Sequence, residues 1–226
     1  MIIQCDFDGT IIRNNLSVLI REHFAPDVWR AIEADYLEGR IAVEESNRRQ
    51  FALIKEPKKR LQEFVRSHID VRQGFPELIA DCEAKGNHLV IVSSGLDFYI
   101  DTVLSELGMF DTELYCGKTE FNEKGIMVSY ADQKGNTIKQ GFKISKLNWL
   151  KQRDKTIVYI GDGLSDLEAA RHANCVFATG HLAMLLTEEH ISWSSFDNFF
   201  DIRNRLTLHT RISADNWSEL PGDTVD

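Results

Sequence analysis

The stretch Asp6-Phe7-Asp8-Gly9-Thr10 follows the apolar residues Met1-Ile2-Ile3 after only two positions. This order predicts a short buried strand that ends in two carboxylates and a Gly-Thr turn. In parallel α/β sheets, ligand-binding and catalytic groups lie at the carboxyl ends of the strands. Two neighbouring acids repel each other unless a cation lies between them. The pattern therefore favours an Asp nucleophile, a second Asp for proton transfer and a hard metal ion, although a simple Asx turn is also typical of Asp-Gly steps.

Composition limits the classes of function that the chain can have. The 226 residues allow one sizeable core and a smaller second unit, and 43% hydrophobic with 27% charged residues is ordinary for a globular protein. A formal charge of −9 argues against a nucleic-acid partner. Since no apolar stretch is long enough to span a bilayer and acidic residues begin at position 6, we expect neither a membrane segment nor a signal peptide.

Four cysteines are scattered along the chain with no paired or CxxC spacing, at Cys5, Cys82, Cys116 and Cys175. Such spacing is typical of buried or incidental thiols in a reducing compartment rather than of a disulfide framework or a zinc site. The expected location is therefore the cytoplasm.

Strand signals alternate with helix signals over most of the chain. Buried strands are predicted at residues 2–5, 88–93, 156–160 and 175–178, and helices at about 76–85 and 97–107. Residues 112–121 and 126–130 flank the turn sequence Asn122-Glu123-Lys124-Gly125, which indicates a hairpin. The predicted fold class is α/β, with a doubly wound, mostly parallel, Rossmann-like sheet that carries helices on both faces and a small β-hairpin.

An all-helical block interrupts this pattern after the first strand. Residues 16–68 show helical periods and no strand signal, with one helix opened by Pro26 and followed by Gly39, a second at about 43–54 and a third at about 57–67. We expect an α/β core at residues 1–14 and 72–210, a helical cap at 15–71 inserted into it, and a polar tail at 211–226.

Two further segments carry groups that suit an anion. Ser93-Ser94-Gly95 follows a buried strand and precedes a helix, so a hydroxyl and free backbone N–H groups can bind a phosphate there. Ser93 is the better candidate and Ser94 the alternative. Lys143, at the start of a helix before the strand at 156–160, can neutralise a phosphoryl group, although a single Lys is usually a surface charge. Lys146 remains an alternative.

The segment Gly161-Asp162-Gly163-Leu164-Ser165-Asp166 is more specific. A buried strand again delivers an Asp to its carboxyl end, and Asp166 begins the next helix. Together with the first motif, four carboxylates converge from two strand ends, namely Asp6, Asp8, Asp162 and Asp166. A ligand set made only of oxygen atoms selects Mg²⁺, so the sequence predicts a magnesium site.

These four segments, in this order, resemble the motifs of the haloacid dehalogenase superfamily over about residues 1 to 208, and the helical insertion is similar to the small cap of its phosphoserine phosphatase-like branch. The resemblance implies a Mg²⁺-dependent phosphomonoester hydrolase that works through an aspartyl-phosphate. It implies that Asp6 is the nucleophile, that Asp8 is the general acid and base, and that Ser93 and Lys143 bind phosphate. The implied metal ligands are Asp6, the carbonyl of Asp8 and Asp162, with Asp166 supporting the cluster.

Cap residues are expected to select the substrate. In the phosphoserine phosphatase-like branch, a Glu after the first motif and an Arg in the cap hold the amino-acid end, whereas Asn15 and Gln50 stand at the matching positions here. The stretch from Ser93 to Phe98 is similar to the methionine-salvage branch, whose members act on a 2-hydroxy-3-keto-5-methylthiopentenyl phosphate. We therefore predict a small phosphorylated metabolite with a neutral body as substrate, in a pocket lined by Asn15, Gln50 and Phe98, with Arg48 and Arg49 nearby.

Three alternatives stay open at this stage. A phosphoserine phosphatase or a phosphotransferase of the same superfamily would use the same motifs. A non-enzymatic regulator built on a phosphorylatable Asp would need neither the large cap nor Asp8, so the sequence favours it least. The sequence predicts no nucleic-acid or membrane partner and does not indicate an oligomeric state.

Overall fold

A seven-stranded sheet forms the centre of the computed structural model, which describes residues 1–211. The strand order is β4-β3-β2-β1-β5-β6-β7, and only the β3–β4 pair is antiparallel. The predicted α/β class and mostly parallel sheet are confirmed. The strands are β1 Ile2–Cys5, β2 His88–Leu96, β3 Glu113–Asn122, β4 Gly125–Ser129, β5 Ile157–Gly161, β6 Cys175–Ala178 and β7 Ser194–Ser195.

Ten helices are described, together with one turn of 3₁₀ helix at Leu164–Asp166. The helices are α1 Leu16–Phe24, α2 Trp29–Leu37, α3 Val43–Phe51, α4 Lys58–Arg66, α5 Phe75–Ala84, α6 Asp97–Glu106, α7 Phe142–Leu150, α8 Leu167–Arg171, α9 Gly180–Glu188 and α10 Phe199–Arg211. The first four form the four-helix segment, which follows β1 in the chain and precedes α5. The predicted polar tail, apart from its first residue, lies outside the described residues.

The central position of β1 explains why distant motifs meet. All four of its residues are buried, and it pairs in parallel with β2 on one side and β5 on the other. Cys5 is in register with Ile91 and with Ile160, so the residues that follow these three positions leave the sheet at the same edge. Since parallel strands point the same way, this edge collects the first motif, the serines after Val92 and Asp162.

Helix α3 is hydrogen-bonded to the end of β2 and to the start of α7. The Asn47 side chain donates to the Ser94 carbonyl and to the Tyr130 hydroxyl, both at 2.8 Å. The Glu44 carboxylate accepts from the backbone N–H of Phe142 at 2.7 Å, at the N-terminus of α7. Both side chains are buried. The four-helix segment is therefore held against the edge of the sheet where the motifs meet.

Several boundaries differ from the prediction. Strand β2 continues to Leu96 rather than ending at Ser93, with an irregular register between Val92 and Leu96. Helix α2 begins at Trp29, because the residues after Pro26 form a turn in which the Trp29 N–H donates to the Pro26 carbonyl. The prediction omits α9, β7 and α10, and β7, with only two residues, carries little sequence signal.

The four cysteines are all free and buried, as the sequence predicts. Among residues 1–211, no helix is long and apolar enough to cross a bilayer.

Candidate active site

Asp6 and Asp8 emerge from the end of β1 with different partners. Asp6 is ion-paired with Lys143, whose Nζ lies 2.8 Å from its Oδ1. Asp8 accepts from the backbone N–H of Leu16 at 2.8 Å and from the Tyr99 hydroxyl at 2.6 Å. Burial raises the pKa of the Asp8 carboxyl, and the two hydrogen bonds offset only part of that effect. One acid thus faces a cation, while the other lies among neutral donors.

The turn after β1 brings backbone against the Asp162 carboxylate. Gly9 has a φ of +74°, and a Cβ placed there would lie 2.1 Å from Asp162 Oδ2. The Thr10 hydroxyl donates to Asp162 Oδ1 at 3.2 Å. Only a glycine allows this close approach together with the left-handed backbone. The turn therefore fixes where the Asp162 carboxylate lies.

Three of the acids form a cluster that suits a cation. One carboxylate oxygen from each of Asp6, Asp162 and Asp166 lies within 4.8 Å of the others. Burial, followed by the neighbouring charge of Asp166, raises the pKa of Asp6 and raises that of Asp162 to about 7. Crowded carboxyls with raised pKa values are stabilised in their ionised form by a divalent cation, and an all-oxygen donor set fits Mg²⁺. These residues therefore fit the metal that the sequence predicts.

The Asp166 carboxylate is engaged by four donors of the protein. It accepts from Lys143 Nζ at 2.5 Å and the Tyr159 hydroxyl at 2.6 Å, and from the backbone N–H groups of Asp162 at 3.1 Å and Gly163 at 2.8 Å. Its side chain is fully buried. With its oxygens occupied in this way, Asp166 holds Lys143 and the loop after β5 in position.

Lys143 lies between two carboxylates at the start of α7. Burial lowers its pKa, but the charges of Asp166 and Asp6 outweigh that effect and hold the pKa above its ordinary value. Its Nζ also lies 3.1 Å from the Ser165 hydroxyl. Lys143 is thus a permanently charged group beside Asp6. The alternative, Lys146, is buried elsewhere, with its Nζ 4.5 Å from the centre of the Tyr115 ring.

The serines at the end of β2 line the same cavity as both acids. The Ser93 hydroxyl accepts from the Gly95 N–H at 3.0 Å. The Ser94 hydroxyl is buried and has no hydrogen-bond partner. A Cβ on Gly95 would lie 2.1 Å from the Tyr99 hydroxyl and 3.0 Å from Asp8 Oδ2, so glycine is needed for Tyr99 to reach Asp8. The Ser93 hydroxyl and the backbone of Gly95 therefore lie beside Asp8.

A cavity of about 230 Å³ joins these groups at the edge of the sheet. Its wall includes most of the predicted chemical residues, namely Asp6, Asp8, Ser93, Ser94, Gly95, Lys143 and Asp162, and the cap residue Asn15. Asn15 also caps α1, since its Oδ1 accepts from the Val18 N–H at 3.0 Å. The four-helix segment supplies the opposite wall, through residues of α1, α2 and α3.

The structure does not place the other predicted substrate residues in that wall. Phe98 is fully buried in the core, with its ring centre 6.3 Å from that of Phe51 and 5.4 Å from that of Phe121. The start of α6 turns Phe98 toward this aromatic group and its neighbour Tyr99 toward the site. Gln50 is also fully buried and lies behind the wall, where it hydrogen-bonds Arg21.

Arg48 and Arg49 are directed away from the cavity as well. Both form ion pairs of 2.6 Å with Glu45 on the partly exposed face of α3. The i, i+3 and i, i+4 spacing of these pairs is typical of a solvated helix surface. Their expected proximity to the substrate is therefore not found.

Two charged residues in the cavity wall are missed by the sequence analysis. Arg21 of α1 is only 4% exposed, and its Nη1 lies 3.6 Å from Glu33 Oε2 of α2. Both residues line the cavity, so its wall carries an arginine and a glutamate beside the predicted Asn15. Arg21 lies one helical turn after Ser17, which also lines the cavity, so both side chains lie on the same face of α1.

The chain is similar in sequence to a known family of hydrolases. Residues 3–171 match the sequence model of the haloacid dehalogenase-like hydrolases. A 2-hydroxy-3-keto-5-methylthiopentenyl-1-phosphate phosphatase of Geobacillus thermodenitrificans is 32% identical over 211 residues, which cover 91% of this chain and 95% of the relative. The protein of the same name from Bacillus pumilus is 29% identical over 207 residues, 89% of each chain.

Solved structures of phosphoserine phosphatase have a similar fold. A phospho-aspartyl intermediate analogue superposes with a TM-score of 0.67 at 17% identity, and covers 90% of this chain and 97% of that chain. A substrate-bound complex gives a TM-score of 0.66 at 19% identity with the same coverage. At such low identity, the similarity is one of fold.

Proposed function

The chain belongs to the haloacid dehalogenase-like hydrolase family and is a phosphatase, and from this premise we propose that it hydrolyses a small phosphorylated metabolite through an aspartyl-phosphate on Asp6. The observation that carries the proposal is the meeting of Asp6, Asp8, Ser93, Lys143 and Asp162 in one cavity. Phosphoryl transfer depends mainly on positioning and on neutralising charge, and this set of groups can do both.

In the first step, a carboxylate oxygen of Asp6 attacks phosphorus, and the bond from phosphorus to the alcohol oxygen breaks. The ion pair with Lys143 supports this role, because its positive charge opposes the rise in the pKa of Asp6 that burial and Asp166 cause. Asp8 gives its proton to the departing alcohol. The raised pKa of Asp8 supports this role, since a general acid must hold its proton near neutral pH.

In the second step, Asp8 takes a proton from a water molecule that attacks the same phosphorus. The bond to Asp6 breaks, which releases inorganic phosphate and restores the carboxylate. Lys143 and Ser93 donate to phosphoryl oxygens in both steps. Tyr99 holds Asp8 in one orientation through its 2.6 Å hydrogen bond, which favours a fixed direction of proton transfer.

We assign Asp6, Asp162 and the carbonyl of Asp8 as the residues that hold Mg²⁺. The bound ion would screen the repulsion between the carboxylates and the phosphoryl oxygens. Asp166 is assigned a supporting role beside these ligands. Its oxygens already accept hydrogen bonds from Lys143, Tyr159 and the backbone.

The two relatives favour a metabolite with a neutral body, such as a phosphorylated hydroxy-ketone or enol, because both are named as phosphatases of 2-hydroxy-3-keto-5-methylthiopentenyl-1-phosphate. The four free buried cysteines support a reducing, cytoplasmic location. We also propose that residues 15–71, which contain the four-helix segment, form a cap that selects the substrate.

Hydrolysis of p-nitrophenyl phosphate with and without Mg²⁺ tests the reaction class, and a panel of phosphorylated metabolites tests the substrate class. We expect Mg²⁺-dependent release of p-nitrophenol and greater activity on a hydroxy-ketone phosphate than on L-phosphoserine. No turnover of any phosphate ester would refute the proposal. Phosphate transfer to added alcohols in preference to water would instead identify a phosphotransferase.

A further inference from the structure

Arg21 has a hydrogen-bonding edge that the protein does not use. Its Nη1 faces the Gln50 side-chain oxygen, Asn47 Oδ1 at 3.5 Å and Glu33 Oε2 at 3.6 Å. Its Nε is buried with no hydrogen-bond partner, and no acceptor within residues 1–211 bonds to Nη2. Nε and Nη2 together form the side of a guanidinium that binds two oxygens at once.

The orientation of this guanidinium is fixed by its neighbours. Its Cζ lies 5.4 Å from the centre of the Trp29 ring and 6.0 Å from that of Phe51. The hydrogen bond to Gln50 and the contact with Glu33 hold the Nη1 end. A side chain held in this way loses little further entropy when it binds a ligand. Arg21 also lines the cavity that contains Asp8, so its unpaired Nε belongs to the wall of that cavity.

Two more buried polar atoms of the cavity wall lack partners. These are the hydroxyls of Ser46 on α3 and Ser94 on β2. Buried polar groups are nearly always hydrogen-bonded, so unpaired ones in a cavity indicate a polar ligand. The part of the cavity formed by α1, α3 and the end of β2 therefore suits a leaving alcohol that is rich in oxygen.

We propose that Arg21 selects the substrate by binding two adjacent neutral oxygens of the leaving alcohol, a carbonyl and a hydroxyl, through its Nε and Nη2. The proposal rests on the phosphatase function proposed above and adds the residue that recognises the leaving alcohol. Glu33 already balances the charge of Arg21, so a neutral oxygen pair leaves the region balanced, whereas a carboxylate adds an unpaired negative charge beside Glu33 and Asp8.

An amino-acid alcohol fits this arrangement less well. Its ammonium would compete with Arg21 and Gln50 for the same Glu33 oxygen, which accepts from Gln50 Nε2 at 2.8 Å. The neutral hydroxy-ketone requires no such exchange of partners.

The test compares four esters in Mg²⁺: dihydroxyacetone phosphate, which carries the carbonyl and hydroxyl; propyl phosphate, which carries neither; 3-phosphoglycerate; and L-phosphoserine. For wild-type protein we expect the highest kcat/KM with dihydroxyacetone phosphate. Replacing Arg21→Met should lower the ratio of kcat/KM for dihydroxyacetone phosphate over propyl phosphate at least about tenfold, as expected when hydrogen bonds from a charged group are lost. Most of the change should appear in KM.

The matched control is Arg66→Met, which removes an arginine of α4 that pairs with Glu106 on the surface. It should leave the ratio within about twofold of the wild-type value, as for a surface substitution. Ser46→Ala, a smaller change in the same wall, should lower the ratio in the same direction. This second variant keeps the proposal testable if Arg21→Met does not fold, as judged by circular dichroism.

An unchanged ratio in a folded Arg21→Met, or in Ser46→Ala when Arg21→Met does not fold, would overturn the inference. So would a proportional loss on every ester, which would mean that Arg21 supports the fold or the chemistry alone. If Arg21→Met lowered kcat/KM more for 3-phosphoglycerate or L-phosphoserine than for dihydroxyacetone phosphate, Arg21 would bind a carboxylate and the proposal would be wrong. If wild-type protein hydrolysed none of the esters, the proposed function itself would fail.

Discussion

The turn at Gly9 offers the most direct test of the role of Asp162. A Cβ at position 9 would lie 2.1 Å from Asp162 Oδ2, whereas ordinary contacts begin at 3.4 Å, so Gly9→Ala must displace the carboxylate or the turn by about 1.3 Å. A displacement of about 1 Å in an active site commonly costs about 100-fold in rate. We therefore expect kcat to fall roughly 100-fold and the Mg²⁺ concentration for half-maximal activity to rise.

Backbone strain must be separated from this displacement. Gly39 has almost the same φ, +72°, but a Cβ there would meet nothing within 4 Å. Gly39→Ala therefore carries the cost of a left-handed alanine, about 1 kcal/mol, without a contact at the site. For a protein of this size, that cost corresponds to a Tm lower by about 2–4 °C.

The assay is Mg²⁺-dependent hydrolysis of p-nitrophenyl phosphate by both variants, with Tm measured by calorimetry. Gly39→Ala should keep wild-type kcat and Mg²⁺ dependence despite its lower Tm. Gly9→Ala should lose activity even at temperatures where it is fully folded. If Gly9→Ala turned over within about threefold of Gly39→Ala, far from the 100-fold expected, the position of Asp162 would not matter and the metal assignment would be refuted.

Three further predictions concern the metal, the two acids and pH. EDTA should abolish phosphatase activity and Mg²⁺ should restore it, so full turnover in metal-free buffer would contradict the metal assignment. Asp6→Ala should lose both turnover and labelling of the protein by radioactive phosphate. Asp8→Asn should still be labelled by an activated ester, because the leaving group of such an ester needs no proton. Normal turnover by Asp6→Ala would exclude Asp6 as the nucleophile. In metal-free protein, the pKa of Asp162, raised to about 7 by burial and then by Asp166, means that the folded state keeps a proton that the unfolded state releases. Stability should therefore fall as pH rises from about 4 to about 7, and Mg²⁺ should restore Tm at pH 8; a Tm that rises with pH without metal would show that the sign is wrong.

Local sequence signals were sufficient for the residues at the strand ends. Asp6 and Asp162 each follow a buried strand directly, and Asp8 comes two residues after Asp6, so the chain itself places them at the same edge of a parallel sheet. The sequence signal for Lys143 is weaker. Its role depends on ion pairs with Asp6 and Asp166, which are far away in sequence.

The substrate region was less accessible to sequence reasoning, because side-chain direction there depends on how helices pack. Phe98 and Tyr99 are adjacent, and only the packing of α6 decides that Phe98 joins the core while Tyr99 reaches Asp8. Arg21 looks like a surface charge until α2 and α3 cover it with Trp29 and Gln50. An arginine on the buried side of an amphipathic helix is the pattern that could have identified it.

The hydrogen bonds of α3 to the sheet have a consequence for how substrate enters. Asn47 and Glu44 fasten α3 to the Ser94 carbonyl and to the first residue of α7, so moving α3 would pull on the phosphate-binding strand and on the helix of Lys143. Opening by α3 would thus disassemble the catalytic groups at each turnover. Helix α2, which ends in the 58% exposed Leu37 of the cavity wall, is hydrogen-bonded to α3, where Gln50 Nε2 donates to Glu33 Oε2 at 2.8 Å. Substrate must therefore enter while α3 stays in place, and removal of the hydrogen bonds of Asn47 or Glu44 should slow the chemical step.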